Sequence, residues 1–140
     1  MKIFVDCDVL LDVALGREPF REASGELLDY LESNVGLGFM AWHSIANLFY
    51  IVSKVMGKVA AKTFIVQLCQ FIQVVPTGTH EVLQAANLAM NDFEDALQCV
   101  AAMTSEAEVI ATRNVQDYRN SPIEAVTPEE ILSRLNINHV

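Results

Sequence analysis

Apolar and polar positions follow two rhythms along this 140-residue chain. Ile3-Phe4-Val5 is a short apolar run with no polar interruption, the pattern of a central parallel strand covered on both faces. Residues 16–19 break the pattern. Phe20, Ser24, Leu27, Leu28 and Leu31 then recur at helical spacing, which predicts a helix over about Arg21–Ser33. A second strand is expected at 36–40. Ser44 is placed to cap the next helix, whose inward stripe reads Asn47, Leu48, Ile51 and Val55. Residues 59–71 read as a strongly apolar helix, followed by a third strand at Ile72–Val75 that Pro76 closes. Thr79 can cap a helix over 80–90, and a further helix runs from Asp92 to about Ser105. Val109-Ile110-Ala111-Thr112 reads as a fourth strand, 115–118 as a short helix, and Glu124–Val126 as a final strand. Thr127-Pro128-Glu129-Glu130 is a capping box with proline at the first helical position, so the last helix starts there. This alternation predicts an α/β fold. It is expected to be a three-layer α/β/α sandwich around a central, mostly parallel sheet of four or five strands.

The length fits one domain, 1–140, large enough for a real core. A hydrophobic content of 52% and a mean hydropathy of +0.30 predict extensive burial with some apolar surface left for a partner, and a homodimer is expected. No stretch reaches the roughly 18 uninterrupted apolar residues of a membrane helix. The N-terminus enters a strand without a basic region or cleavage site, so no export signal is expected. Cys7, Cys69 and Cys99 are odd in number and lack metal or redox spacing, which reads as reduced thiols in a cytoplasmic protein. Nine basic residues against eighteen acidic ones give a net charge of −9. No electrostatic footprint for nucleic acid is written across such a surface. A polyphosphate substrate would need metal ions to neutralise part of its site, or a basic partner.

The strongest chemical signal is Asp6, with Asp8, directly after the first strand. The carboxyl end of a central parallel strand is where such sheets build sites. Asp8 would share the side of Asp6 if the backbone stays extended, whereas Asp12 reads as a solvated loop residue. Asp95 stands in the first turn of a helix face that is otherwise Ala96, Cys99, Ala102 and Met103, where a buried carboxylate needs a cation or hydrogen bonds. Asp92, one turn earlier, can cap that helix. Asn47 interrupts an apolar stripe, which points to a hydrogen-bonding duty. Thr112, Asn114 and Asp117 follow the fourth strand and approach Asp6 if the two strands are neighbours. His43, His80 and His139 are too scattered for a zinc site.

In this order the motifs resemble the PIN-domain ribonucleases, in particular the toxin-like, VapC-type nucleases of toxin–antitoxin pairs. The segments are Ile3 to Asp12, Ser44-Ile45-Ala46-Asn47-Leu48-Phe49-Tyr50, Asp92-Phe93-Glu94-Asp95-Ala96, and Ala111 to Tyr118. The resemblance implies metal-dependent hydrolysis of RNA phosphodiester bonds, with Asp6, Asp95 and Asp117 as catalytic residues holding Mg²⁺ or Mn²⁺. Asp8, Asn47, Asp92, Thr112 and Asn114 support them, and an antitoxin protein is a possible partner. Asn47 departs from the family, which commonly has a glutamate there, and Asp8 stands where asparagine is frequent.

Two rival readings stand beside this one. Asp6-Cys7-Asp8 after a strand is similar to haloacid-dehalogenase phosphatases. Those need a late lysine, however, and Lys2, Lys54, Lys58 and Lys62 all lie in the first half. The other rival is a PIN-fold binding module whose site has lost strength at Asn47.

Overall fold

The strand–helix rhythm resolves into a five-stranded sheet in the computed structural model, which describes residues 1–136. The strands are β1 (Ile3–Val5), β2 (Gly38–Ala41), β3 (Ile72–Val75), β4 (Val109–Ala111) and β5 (Glu124–Val126). All are parallel, in the order β3-β2-β1-β4-β5. The helices are α1 (Cys7–Leu15), α2 (Arg21–Ser33), α3 (Trp42–Met56), α4 (Lys58–Leu68), α5 (Thr79–Ala86), α6 (Phe93–Thr104) and α7 (Pro128–Arg134). A 3₁₀ turn spans Val115–Tyr118.

Strand side chains alternate between two cores. Ile3, Val5, Met40, Ile72, Val109 and Ala111 face a core built with Leu10, Leu27, Leu31, Leu48, Val52, Leu68 and Ile131, so α1–α4 and α7 cover that side. Phe4, Phe39, Ala41, Val75 and Ile110 face a second, thinner core with Ala101, Ala102 and Tyr118. There the small α6 side chains let that helix lie close against β2, β3 and β4. β1 is buried at all three positions, as a strand covered on both faces must be. The chain moves outward from β1 to β2 and β3, then crosses to β4 and β5. The crevice at the carboxyl ends of β1 and β4 is therefore a topological switch point.

Several local expectations change. Backbone extension does not continue past Asp6, because Asp6 caps α1 at once by accepting the Cys7 N–H at 2.7 Å. Asp12 is consequently a fully buried helical residue and not a loop residue. Ser44 caps nothing: α3 starts at Trp42 after Ala41, and the buried Ser44 hydroxyl accepts a bond from Gln98 Nε2 at 3.0 Å. The buried stripe of α3 is Ser44, Leu48 and Val52, and Val55 is exposed. The apolar segment 59–71 forms only α4, whose buried residues are Ala61 and Leu68. Gly78 precedes α5, and Glu81 closes its first turn by accepting the Gly78 N–H at 2.7 Å.

Cys7, Cys69 and Cys99 are all free thiols. Among the described residues no helix is long and apolar enough to cross a membrane. His139 lies outside the described residues. The core makes one direct prediction. Leu31 is fully buried beneath β2, so Leu31→Ala should lower unfolding free energy by about 2–5 kcal/mol. Urea unfolding checks this, and a loss near zero would show that the core packs elsewhere.

Candidate functional site

Asp6 ends β1 and Thr112 follows β4, and because the two strands pair, these residues meet. Thr112 Oγ1 is 2.9 Å from Asp6 Oδ2 and 3.3 Å from Asp8 Oδ2. A hydroxyl has one proton to give, and the shorter contact favours Asp6. The same oxygen accepts the Asn114 N–H at 3.0 Å. Asp8, in the first turn of α1, accepts at Oδ2 from the Arg113 N–H at 3.0 Å and from Asn114 Nδ2 at 3.0 Å. Its Oδ1 is buried with no partner among the described residues.

Tyr118 closes the site from the 3₁₀ turn. Its hydroxyl donates to Asp6 Oδ2 at 3.1 Å, and the ring sits in the second core. The Asp95 carboxylate acts on the same hydroxyl from the first turn of α6. Asp92 caps that turn by accepting the Asp95 N–H at 3.0 Å, as its place before the helix suggested. Asp92, Asp95 and the exposed Asp117 line one cavity of about 210 Å³, with Arg119 on its wall. The acids thus form two groups, Asp6 with Asp8 and Asp92 with Asp95 and Asp117, and Tyr118 stands between them. Asn47 is half-buried and hydrogen-bonds to none of these acids. Among the described residues, no three His, Cys, Asp or Glu side chains are gathered tightly enough to ligate a metal as they stand.

The electrostatics are one-sided. Burial, and then the neighbouring Asp8 charge, push the Asp6 carboxyl from its ordinary 3.8 up to about 7, despite bonds from Thr112, Tyr118 and the Cys7 N–H. Burial also raises Asp8. Asp95 is pushed up to about 6 by burial and by the Asp92, Asp117 and Glu94 charges. Burial and the flanking carboxylates raise Tyr118 too, so it remains a protonated donor. The Cys7 thiol is driven up to about 12 by burial and by Asp6, which removes it as a nucleophile. The donor set suits a hard divalent cation: every candidate ligand is an oxygen, the acids outnumber the neighbouring Arg113 and Arg119, and one buried carboxylate oxygen lacks a partner.

Sequence reasoning assigned no role to Tyr118, Arg113 or Asp12. The helical spacing of Val9, Leu10 and Val13, with Asp6 before them and Gly16 after, was the available signal for α1 and hence for a buried Asp12.

The fold and the site define a parallel α/β protein with carboxylates gathered at its switch point. A family model described as the PIN domain matches residues 2–116, and the chain belongs to that family. Solved structures share the fold. The chain is similar to VapBC2 from Rickettsia felis bound to a DNA fragment from their promoter (TM-score 0.69, 14% identity, 91% of this chain and 98% of that one). VapC20 of Mycobacterium tuberculosis, a sarcin–ricin loop cleaving toxin, aligns with a TM-score of 0.62, 14% identity and coverage of 78% and 87%. FitAcB from Neisseria gonorrhoeae aligns at 0.64, with 16% identity and coverage of 91% and 98%. No curated protein matches the chain by sequence.

A carboxyl whose pKa is higher in the fold than in the unfolded chain binds its proton more tightly when folded. Its contribution to stability is therefore greatest at low pH and is lost as pH rises. For Asp6 the loss falls between about 3.8 and about 7, and for Asp95 between about 3.8 and about 6. In metal-free buffer at pH 8, Asp95→Asn should accordingly raise unfolding free energy by about 1 kcal/mol once solvent screening is allowed for. Urea unfolding reads the change. An equal or lower stability would show that burial and charge crowding do not strain this site.

Proposed function

We propose that this protein is a metal-dependent ribonuclease of the toxin type, hydrolysing RNA phosphodiester bonds with Mg²⁺ or Mn²⁺. The observation that carries the reading is crowded negative charge at the switch point: a buried Asp6, an orphaned Asp8 oxygen, and Asp95 crowded by other acids. Asp6, Asp95 and Asp117 would hold the ion, supported by Asp8, Asn47, Asp92, Thr112 and Asn114. When bound, such an ion lowers the pKa of a water and offsets charge on the attacked phosphate.

The chain's own groups orient the acids beforehand. Thr112, Tyr118 and the Cys7 N–H fix both oxygens of Asp6. Asn114 and the Arg113 N–H fix one oxygen of Asp8 and leave the other free. Asp92 holds the turn that carries Asp95. Membership of the PIN-domain family supports the reading, as does the fold shared with VapC20, a sarcin–ricin loop cleaving toxin. An antitoxin partner is proposed because VapBC2 and FitAcB share the fold. Homodimerisation is proposed from exposed apolar side chains such as Trp42, Tyr50, Val59 and Leu83.

A second reading, a PIN-fold binding module with a weakened site, draws on Asn47 and on the separation of the acids into two groups. The two readings differ in a cleavage assay on single-stranded RNA with Mn²⁺ or EDTA. The nuclease should cut only with Mn²⁺, and Asp6→Asn should lower turnover by about 10²-fold or more with the fold intact. Wild-type turnover by Asp6→Asn would refute the assignment, and absence of cleavage of varied RNAs would favour the binding module. Asn47→Glu restores an acid on α3. It should tighten Mn²⁺ binding several-fold by calorimetry, whereas lost stability without that gain would mark Asn47 as a packing residue.

A further inference from the structure

A site that takes RNA must attract a polyanion, yet this chain has nine basic residues against eighteen acidic ones. Where the cations stand therefore matters. Arg134 is tied to Glu124 and Glu130, Arg21 to Glu18, and Lys54 to the Tyr50 hydroxyl. Arg113 is held differently. Its N–H on Asp8 Oδ2 sets it beside the carboxylates at the end of β4. Its Nε donates to Asp12 Oδ2 at 2.7 Å, and its guanidinium lies over the Phe20 ring, 4.2 Å from the centroid. Asp12 is fully buried on α1 and Phe20 immediately precedes α2, so two separate elements clamp the guanidinium.

Arg113 neutralises the buried Asp12 through one of its two oxygens only. A bidentate pair would satisfy both carboxylate oxygens, but Asp12 Oδ1 is buried without a partner. Among the described residues the Arg113 side chain donates its hydrogen bond to Asp12 through Nε, not through Nη1 or Nη2, and 23% of the side chain is exposed. Arg17, in the turn after α1, adds a second positive charge. Its backbone N–H donates to the Asp12 carbonyl at 3.0 Å, next to the residue that Arg113 binds, and its side chain makes no salt bridge among the described residues.

We propose that Arg113, with Arg17 beside it, forms a phosphate-binding subsite at the mouth of the acidic site, taking a backbone phosphate of single-stranded RNA. The proposal rests on the nuclease reading and names how its substrate is held. A guanidinium fork matches phosphate geometry, and one already fixed by Phe20 and Asp12 loses little freedom on binding. The positive charge sits next to the acids, so an RNA strand can approach a surface that is repulsive elsewhere.

Fluorescence anisotropy of a labelled, mixed-sequence single-stranded RNA on the full chain tests this, with Ca²⁺ in place of Mn²⁺. Arg17→Gln should weaken binding roughly tenfold and reduce the slope of log affinity against log salt by about 0.7, the value of one phosphate contact on a single strand. Arg113→Lys keeps a cation for Asp12 but loses the fork and the stacking on Phe20, so it should weaken binding by a similar factor. Lys62→Gln, on the exposed face of α4, should change neither quantity. If the wild type binds RNA and both arginine variants keep its affinity and salt slope, the subsite is wrong and the nuclease reading stands. If Lys62→Gln weakens binding equally, net charge alone is responsible and the subsite is again wrong. If the wild type does not bind RNA, the nuclease reading falls and the subsite falls with it.

Discussion

The constraint on which the rest depends is negative charge forced together at the carboxyl end of a buried strand. β1 is covered on both faces, so Asp6 at its end cannot retreat into water, and Asp8 follows within a single helical turn. Hydrogen bonds offset part of the cost: Asp6 accepts three and Asp8 Oδ2 accepts two or three. They do not offset all of it, because the Asp6 carboxyl still stands near 7 and one Asp8 oxygen has no partner. A fold selected for stability alone gains nothing from this arrangement. Carboxylates perturbed in this way cluster at functional sites.

The surrounding structure reads as support for that charge. The parallel pairing of β1 with β4 brings Thr112 to Asp6. Tyr118 belongs both to the second core and to the site, so the packing that closes one face of the sheet also fixes the Asp6 carboxylate. The thin alanine face of α6 lets that helix lie near the sheet, and its first turn then carries Asp95 toward the same hydroxyl.

Much of the architecture was legible in the sequence, because strands buried on both faces leave short apolar runs and helices leave a period. All five strands fall where those runs predict them, and α7 begins at its capping box. The missed element was α1. Asp6 serves as both site residue and helix cap, and taking the two roles as alternatives left Asp8 on an extended chain and Asp12 in solvent. Ser44 shows the reverse: its residue type suits a cap, but it lies inside α3, where its hydroxyl accepts from the buried amide of Gln98. The acids themselves were visible as residue types at strand ends. Tyr118 and Arg113 were not, since their roles depend on partners about a hundred residues away, Asp6 and Asp12.

The most direct test is a Mn²⁺ titration followed by electron paramagnetic resonance, comparing the wild-type chain with Asp6→Asn at pH 7.5. If trapped carboxylate charge is what the fold is built to offer a cation, the wild type removes free Mn²⁺ signal at a stoichiometry of at least one and the variant does not. Equal uptake by the two proteins, or none by either, would contradict the account.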